Sequence, residues 1–180
     1  MTELEGSVLG VVWLRGPCTA YVVRLEFLRS ASSHWSGSAG AIYPLLRRLH
    51  QQKLLRSRRH TWGNGKKELY EITRKGIAAL HAWMGPPLEA WTAKTTFDPV
   101  RTRFSFFGAL SPAKRRRFLS EARANVAAEL KEVERALASI DRKTERYDYL
   151  EILAVVYELR AREQWLDAAA RCILAAPRRK

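Results

Sequence analysis

Between Leu55 and Ile72 an otherwise helical sequence changes its period. LRSRRH and KELYEI are strand-like runs, and TWGNGK separates them. Asn64-Gly65 is a strong hairpin signal, because both positions tolerate the positive φ of a tight turn. Three helical stretches precede this hairpin and a fourth follows it, all within residues 1–86. That order and spacing predict a winged helix-turn-helix with a two-stranded wing.

The helices are delimited by their caps. Leu4–Leu14 is apolar and stops at Arg15-Gly16-Pro17. Thr19 is placed to cap a second helix to about Arg29, with Val22, Leu25, Phe27 and Leu28 on its buried side. After the small-residue stretch SASSHWSGSAG comes GAIYPLLRRLHQQKLL. At about 100° per residue, Ile42, Leu45, Leu46 and Leu49 share one face, and Gly40, Tyr43, Arg47 and Gln51 share the opposite one. With Ser38 as N-cap, Pro44 falls beyond the first turn, so it should remove one hydrogen bond and bend the helix, with Gly40 easing the clash. A helix starting at Pro44, capped by Tyr43, is the competing reading. Thr73 caps a fourth helix that carries Ile77, Leu80 and Met84 and ends at Gly85-Pro86-Pro87.

The second half has a different character. Residues 87–97 read as a linker, and residues 98–180 as an all-α dimerisation domain that also has room for an effector. Asp98-Pro99 and Ser111-Pro112 are N-cap and N1 pairs. The second opens a long helix to about Arg142, with Leu119, Val126, Leu130, Val133, Leu137 and Ile140 at heptad-like steps. A last helix from about Tyr147 to Ala175 has a wide apolar stripe including Tyr149, Ile152, Leu153, Val156, Leu166 and Ile173. Two such helices offer more apolar surface than they can hide against each other, which predicts a homodimer.

The chemistry is that of a binder. The chain has 32 Lys plus Arg against 18 Asp plus Glu, a formal charge of +14, which favours a polyanionic partner. No run of about 18 apolar residues suggests a membrane span, and the acidic start MTELEG is unlike a secretory signal. A cytoplasmic protein is expected. Cys18 and Cys172 are too far apart in sequence for a metal or redox pair and read as buried thiols. His34, His50, His60 and His81 lack zinc-ligand spacing. No nucleophile elbow, phosphate-cradling loop or metalloprotease motif is present, so neither enzyme nor cofactor nor metal is expected.

Ten basic residues lie between Arg47 and Lys75, opposed only by Glu68 and Glu71. In a helix-turn-helix the second helix enters the major groove of double-stranded DNA and a wing can straddle the backbone. Ser38, Gly40, Ala41, Tyr43 and Arg47 are placed for the helix role. Small residues permit close approach, backbone N–H groups hold phosphate, Tyr43 offers a hydroxyl, and Arg47 can donate two hydrogen bonds to guanine. Arg58, Arg59, Lys66 and Lys67 suit phosphates or a minor groove. For any single one of these residues the plain alternative is a solvated face. For the whole chain it is a winged helix that serves as a protein-interaction module in a larger assembly. Salt dependence of duplex binding separates that reading from DNA binding. The aromatics carry the same ambiguity: Trp35 as a loop anchor, Trp62 at the wing, and Trp13, Trp83, Trp91 and Trp165 as core or interface. The run KRRRF at Lys114–Phe118 is either a phosphate site or a solvated first turn.

VLGVVWLRGPCTAYVVRL, GAIYPLLRRLHQQKLL and LYEITRKGIAAL together resemble the PadR family of bacterial transcriptional regulators, over roughly residues 4–84. Gly40, Ile42, Tyr43, Pro44, Leu46, Arg48 and Leu49 match the recognition-helix motif, with Tyr43 at a position that commonly contacts DNA. The resemblance implies a dimer formed through C-terminal helices, a palindromic operator, and repression relieved in some members by an aromatic small molecule. Trp83, Trp91, Tyr157 and Trp165 are the aromatic residues against which such an effector would stack. Three departures stand out: Ala41 replaces a frequent serine, Lys53 replaces a glycine where positive φ is needed, and Glu68 occupies a wing position that is often basic.

Overall fold

The computed structural model describes residues 1–30, 35, 38–62, 65–94 and 98–174, with the backbone alone for 38, 39, 61, 62, 65, 66 and 174. The chain divides into two compact units, Met1–Lys94 and Thr95–Lys180.

In the first unit, helix α1 (Glu3–Arg15) opens on a capping box. The Thr2 hydroxyl accepts from the Glu5 N–H at 3.2 Å, and the Glu5 carboxylate accepts from the Thr2 N–H at 2.8 Å. A short strand β1 (Cys18–Thr19) leads to helix α2 (Ala20–Arg29), whose N-cap Thr19 accepts from the Val22 N–H. Of the expected stripe of α2, Phe27 is buried, Val22 packs half-buried on the core and Leu28 is exposed, while Val23 joins the buried side. Trp35 meets Phe27 edge-on at 5.8 Å, as the anchor expected of it.

Helix α3 (Ile42–Gln51) begins later than expected, after a 3₁₀ turn at Ser38–Ala41, and its N-cap is Ala41 without a side-chain bond. Pro44 is therefore the third helical residue. Its missing N–H falls among first-turn amides that have no intrahelical acceptor, so the expected loss of a helical bond does not arise. Gly40 is not needed to relieve Pro44 either: a Cβ there would meet nothing within 4 Å. The two faces of α3 separate as the period requires, with Ile42, Leu45, Leu46 and Leu49 at 4 % exposure or less. Burying each such side chain is worth about 1.5–3 kcal/mol.

Strands β2 (Leu55–Trp62) and β3 (Gly65–Ile72) form the wing, antiparallel, with Leu55 opposite Ile72 and Trp62 opposite Gly65. Asn64 lies outside the described residues. The sheet has three strands in the order β1-β3-β2, with Cys18 opposite Tyr70. β1 extends the expected pair; two residues are too few to show a period. Helix α4 (Arg74–Met84) is capped by Thr73 and buries Gly76 and Leu80, while Met84 is exposed. One core joins α1 (Val8, Leu9, Val12), α2, α3, Leu55, Tyr70 and Leu80.

The second unit starts at Asp98, which caps helix α5 (Pro99–Phe104) by accepting from the Val100 and Arg101 N–H groups at 2.8 and 3.1 Å. Its other carboxylate oxygen pairs with Arg162 at 3.0 Å, which accounts for an aspartate left only 9 % exposed. Helices α6 (Pro112–Ser139) and α7 (Arg146–Leu174) are antiparallel neighbours, as the ion pairs Glu134–Arg160 and Arg123–Asp167 show. The heptad-like seam of α6 is closed within the chain: Leu119, Val126, Leu130 and Val133 pack with Val156, Leu159, Leu166 and Ala170 of α7. Phe104, Phe107, Phe118 and Trp165 form an aromatic cluster, with Phe104 and Phe107 stacked at 4.6 Å. Within the basic run, Arg115 is neither solvated nor free for phosphate. It donates to the Phe107 and Gly108 carbonyls at 3.1 and 2.8 Å, holding the preceding 3₁₀ turn. Cys18 is buried, and burial pushes its thiol pKa up; Cys172, expected buried, is exposed.

Candidate nucleic-acid interface

The outward face of α3 carries what a duplex would meet first. Gly40 and Ala41 are exposed in the entering turn, in open space where a backbone can approach closely. Tyr43 is 44 % exposed. Arg47 is exposed, and its side chain makes no hydrogen bond or ion pair among the described residues. The 3₁₀ turn starts at Ser38, whose side chain lies outside the described residues. Arg48, in the same motif, is engaged inward: its guanidinium pairs with Glu5 at 2.8 Å and ties α3 to α1. That pairing, after the Thr2 backbone bond, helps hold the Glu5 carboxyl below its ordinary pKa.

The wing's period of two divides its cations. Arg59 is opposite Glu68 and shares the face of Ser57 and Tyr70, while Arg58 is opposite Leu69 on the other face with Lys67. Lys66 pairs by its backbone with Thr61, and its side chain is outside the described residues. Arg56 is not available: both ends of its guanidinium fork bind Glu71, at 2.9 and 3.1 Å, and hold that carboxyl below its ordinary pKa.

The junction of α3 with the wing is tightly tied. Lys53 adopts φ 62°, the left-handed conformation that the glycine replacement anticipated. The Thr73 hydroxyl reaches the Lys53 and Leu54 carbonyls at 2.8 and 3.1 Å and accepts from the Gly76 N–H at 3.0 Å. Lys75 donates to the Gln52 carbonyl at 2.9 Å, where a cation favours a helix C-terminus. A Cβ on Gly76 would sit 2.1 Å from the Leu54 carbonyl oxygen, so only glycine allows α4 to start this close. The ten basic residues of the sequence therefore overstate the free charge, since Arg48, Arg56 and Lys75 have partners in the fold.

A polar group that sequence reasoning missed lies between the end of α3 and the wing. The buried Tyr70 hydroxyl donates to Glu68 at 3.0 Å, and Ser57 stands 3.5 Å from His50 Nε2. Burial, then the Glu68 bond, pushes the Tyr70 pKa up to about 12. A bond from Ser57 leads the causes that hold the Glu68 carboxyl low, with Tyr70, His50 and Arg59 adding to it. The signal was present in the sequence: Ser57, Glu68 and Tyr70 share one face once the hairpin register is known.

The four aromatic candidates fall two in each unit. Trp83 packs its ring on Gly6 and donates to Glu3 at 3.0 Å. Trp91 is 51 % exposed on a 3₁₀ turn at Ala90–Ala93. Trp165 lies 4.8 Å from Phe104 within the aromatic cluster, and Tyr157 is 62 % exposed. None of them lines the groove of about 410 Å³ between α6 and α7, bounded by Arg116, Leu119, Ser120, Arg123, Ala124, Ala127, Glu163, Asp167 and Ala170. Among the described residues no cluster of three or more His, Cys, Asp or Glu is placed to hold a metal, and no helix is long and apolar enough to cross a membrane.

Fold and interface together define a winged helix-turn-helix followed by a helical unit. The chain matches the transcriptional regulator PadR-like family over residues 8–82. Its fold is that of Bacillus subtilis PadR in complex with operator DNA, at 20% identity and a TM-score of 0.78 over 96% of this chain and 99% of that one. Bacillus subtilis PadR in complex with p-coumaric acid gives 19% identity and 0.72, covering 96% of each chain. The Vibrio cholerae virulence activator AphA gives 23% identity and 0.69, covering 96% and 99%. No curated protein matches the sequence.

Proposed function

We propose that the protein is a dimeric, cytoplasmic transcriptional repressor that reads a palindromic operator and is released from it by an aromatic small molecule. The observation that carries the DNA reading is the division of α3. Its apolar face is closed by the core, while Tyr43 and Arg47 stand exposed with no competing partner among the described residues. In this reading residues 1–86 bind DNA, 87–97 link, and 98–180 dimerise.

The dimer draws support from α7. After its inner stripe is packed, Tyr147, Leu150 and Tyr157 remain 52–76 % exposed, joined by the exposed Ala154 and Ala161 at alternating steps of three and four. That spacing suits the same helix of a second copy. Half-sites would then lie about one helical turn apart, roughly 34–36 Å. The effector draws support from the p-coumaric acid complex of Bacillus subtilis PadR and from the exposed rings of Trp91 and Tyr157.

The test is recovery of genomic fragments bound by the full chain, expected to yield a palindrome, followed by operator binding against a panel of aromatic acids. Fragments without a common sequence would overturn the operator reading. A panel that leaves both tryptophan emission and operator affinity unchanged would leave a constitutive regulator.

A further inference from the structure

We propose that the entering end of α3 reads thymine: Ala41 and Pro44 form an apolar patch that selects the C5-methyl group of a base in each half-site. The inference rests on the DNA-binding reading above and adds to it the base that this end of the helix recognises.

In a helix-turn-helix the N-terminal residues of the second helix meet base edges. From Gly40 to Arg47 the outward side of this chain is short of polar chemistry. Ile42, Leu45 and Leu46 are buried in the core. Gly40, Ala41, Tyr43, Pro44 and Arg47 are exposed, and of their side chains only Tyr43 and Arg47 can hydrogen-bond. Ala41 already has helical φ and ψ, −84° and −8°, so Ala41 and Pro44 are surface neighbours at a spacing of three. Gly40 beside them faces open space, which leaves the approach clear. One exposed alanine or proline is ordinary on a protein surface. Here the two share the exposed end of α3 with Tyr43 and Arg47, the side chains placed to grip a duplex.

The major groove sets what an alkyl group can recognise. Guanine, adenine and cytosine present only hydrogen-bond donors and acceptors there, whereas thymine adds a methyl group beside its O4 acceptor. Against that methyl, Ala41 and Pro44 remove apolar surface from water on both sides of the contact. Against the other bases they strip water from donors or acceptors and supply no hydrogen bond in its place, which is unfavourable. The patch therefore favours thymine and rejects its competitors, and a preference of this kind raises the ratio of operator to random binding that discriminates one site in a genome. The base 5-methylcytosine carries its methyl at the same ring position, so the patch accepts it better than cytosine.

The probe is a duplex selected from a random pool by the full chain. It is resynthesised with deoxyuridine replacing one thymine at a time, which keeps the pairing and deletes only the methyl. At least one thymine should show a loss of about three- to fivefold, the worth of burying one methyl-sized group. At that position 5-methylcytosine should bind better than cytosine. In Ala41→Gly, which keeps an acceptable N-cap, the loss on deoxyuridine should shrink below about twofold. Should that variant misfold, Ala41→Ser, a stronger N-cap that sets a hydroxyl against the methyl, takes its place and is read by the same ratio. Pro44→Ala trims the other half of the patch and should shrink the loss as well. A selected duplex with no sensitive thymine overturns the inference and leaves the DNA-binding reading standing. So does a thymine whose sensitivity survives undiminished in the folded Ala41 and Pro44 variants. A pool that yields no preferred sequence overturns the DNA-binding reading first.

Discussion

The two units are unfinished in different ways. Met1–Lys94 closes its core from seven elements and leaves charge on the outward side of α3 and the wing. Thr95–Lys180 closes its core between two long helices and leaves apolar rings on the back of α7. Exposed charge calls for a polyanion, which water can stand in for; an exposed apolar stripe calls for another chain, for which water is a poor substitute. The contrast is not absolute, since Trp13 and Leu14 at the end of α1 are 55 % and 67 % exposed.

The strongest way to break this comparison is to place charge on the back of α7. Leu150→Glu combined with Tyr157→Glu should convert a dimer into a monomer in sedimentation while each unit keeps its helicity. A double variant that still sediments as a dimer would remove α7 from the interface. Deleting residues 144–180 is a blunter instrument, because it also strips α6 of the partner that covers Leu119 and Val133.

Next in size are the cores. Leu49→Ala and Leu166→Ala each remove a side chain that is 0 % exposed, and each should cost about 2–5 kcal/mol. Calorimetry sharpens the comparison: two separable transitions, with Leu49→Ala lowering one and Leu166→Ala the other, would show that the units are energetically independent. A single transition lowered by both would show one cooperative body.

At the interface, Arg47→Ala should cost roughly 1–3 kcal/mol of operator affinity and relax preference at one position in each half-site. Tyr43→Phe should weaken operator binding by less, with no change in melting temperature. If both folded variants bind as the parent does, the outward face of α3 is merely solvated.

The smallest effect is expected at the tie between α3 and the wing. Lys53→Gly relieves a left-handed residue at φ 62° and should raise stability by about 1 kcal/mol in thermal unfolding. No gain would mean that the Lys53 side chain contributes as much as its backbone conformation costs.

Much of this was legible in the sequence. The period of α3 gave its buried and exposed faces, Asp98 and Ser111 announced their helices, and the glycine missing at Lys53 pointed to strain. What escaped depended on partners distant in the chain. Glu5 claims Arg48 from 43 positions away, and Lys75 caps a helix that ended well before it. The seam of α6 looked like an invitation to a second chain until α7 of the same chain was seen to occupy it. Pro44 was misjudged because helix capping preferences cannot foresee that a 3₁₀ turn will absorb Ser38–Ala41.

Thr73 deserves a last consequence. Its N–H and hydroxyl both reach Leu54, so the two ends of the hairpin are latched to each other independently of the tip. Hydrogen exchange should therefore slow from the tip toward the base, with the amide of Thr73 among the last to exchange. A wing latched in this way is held at its root and opens first from its tip. On the DNA-binding proposal, a root ordered in the free protein would spare docking any folding there, which favours fast association.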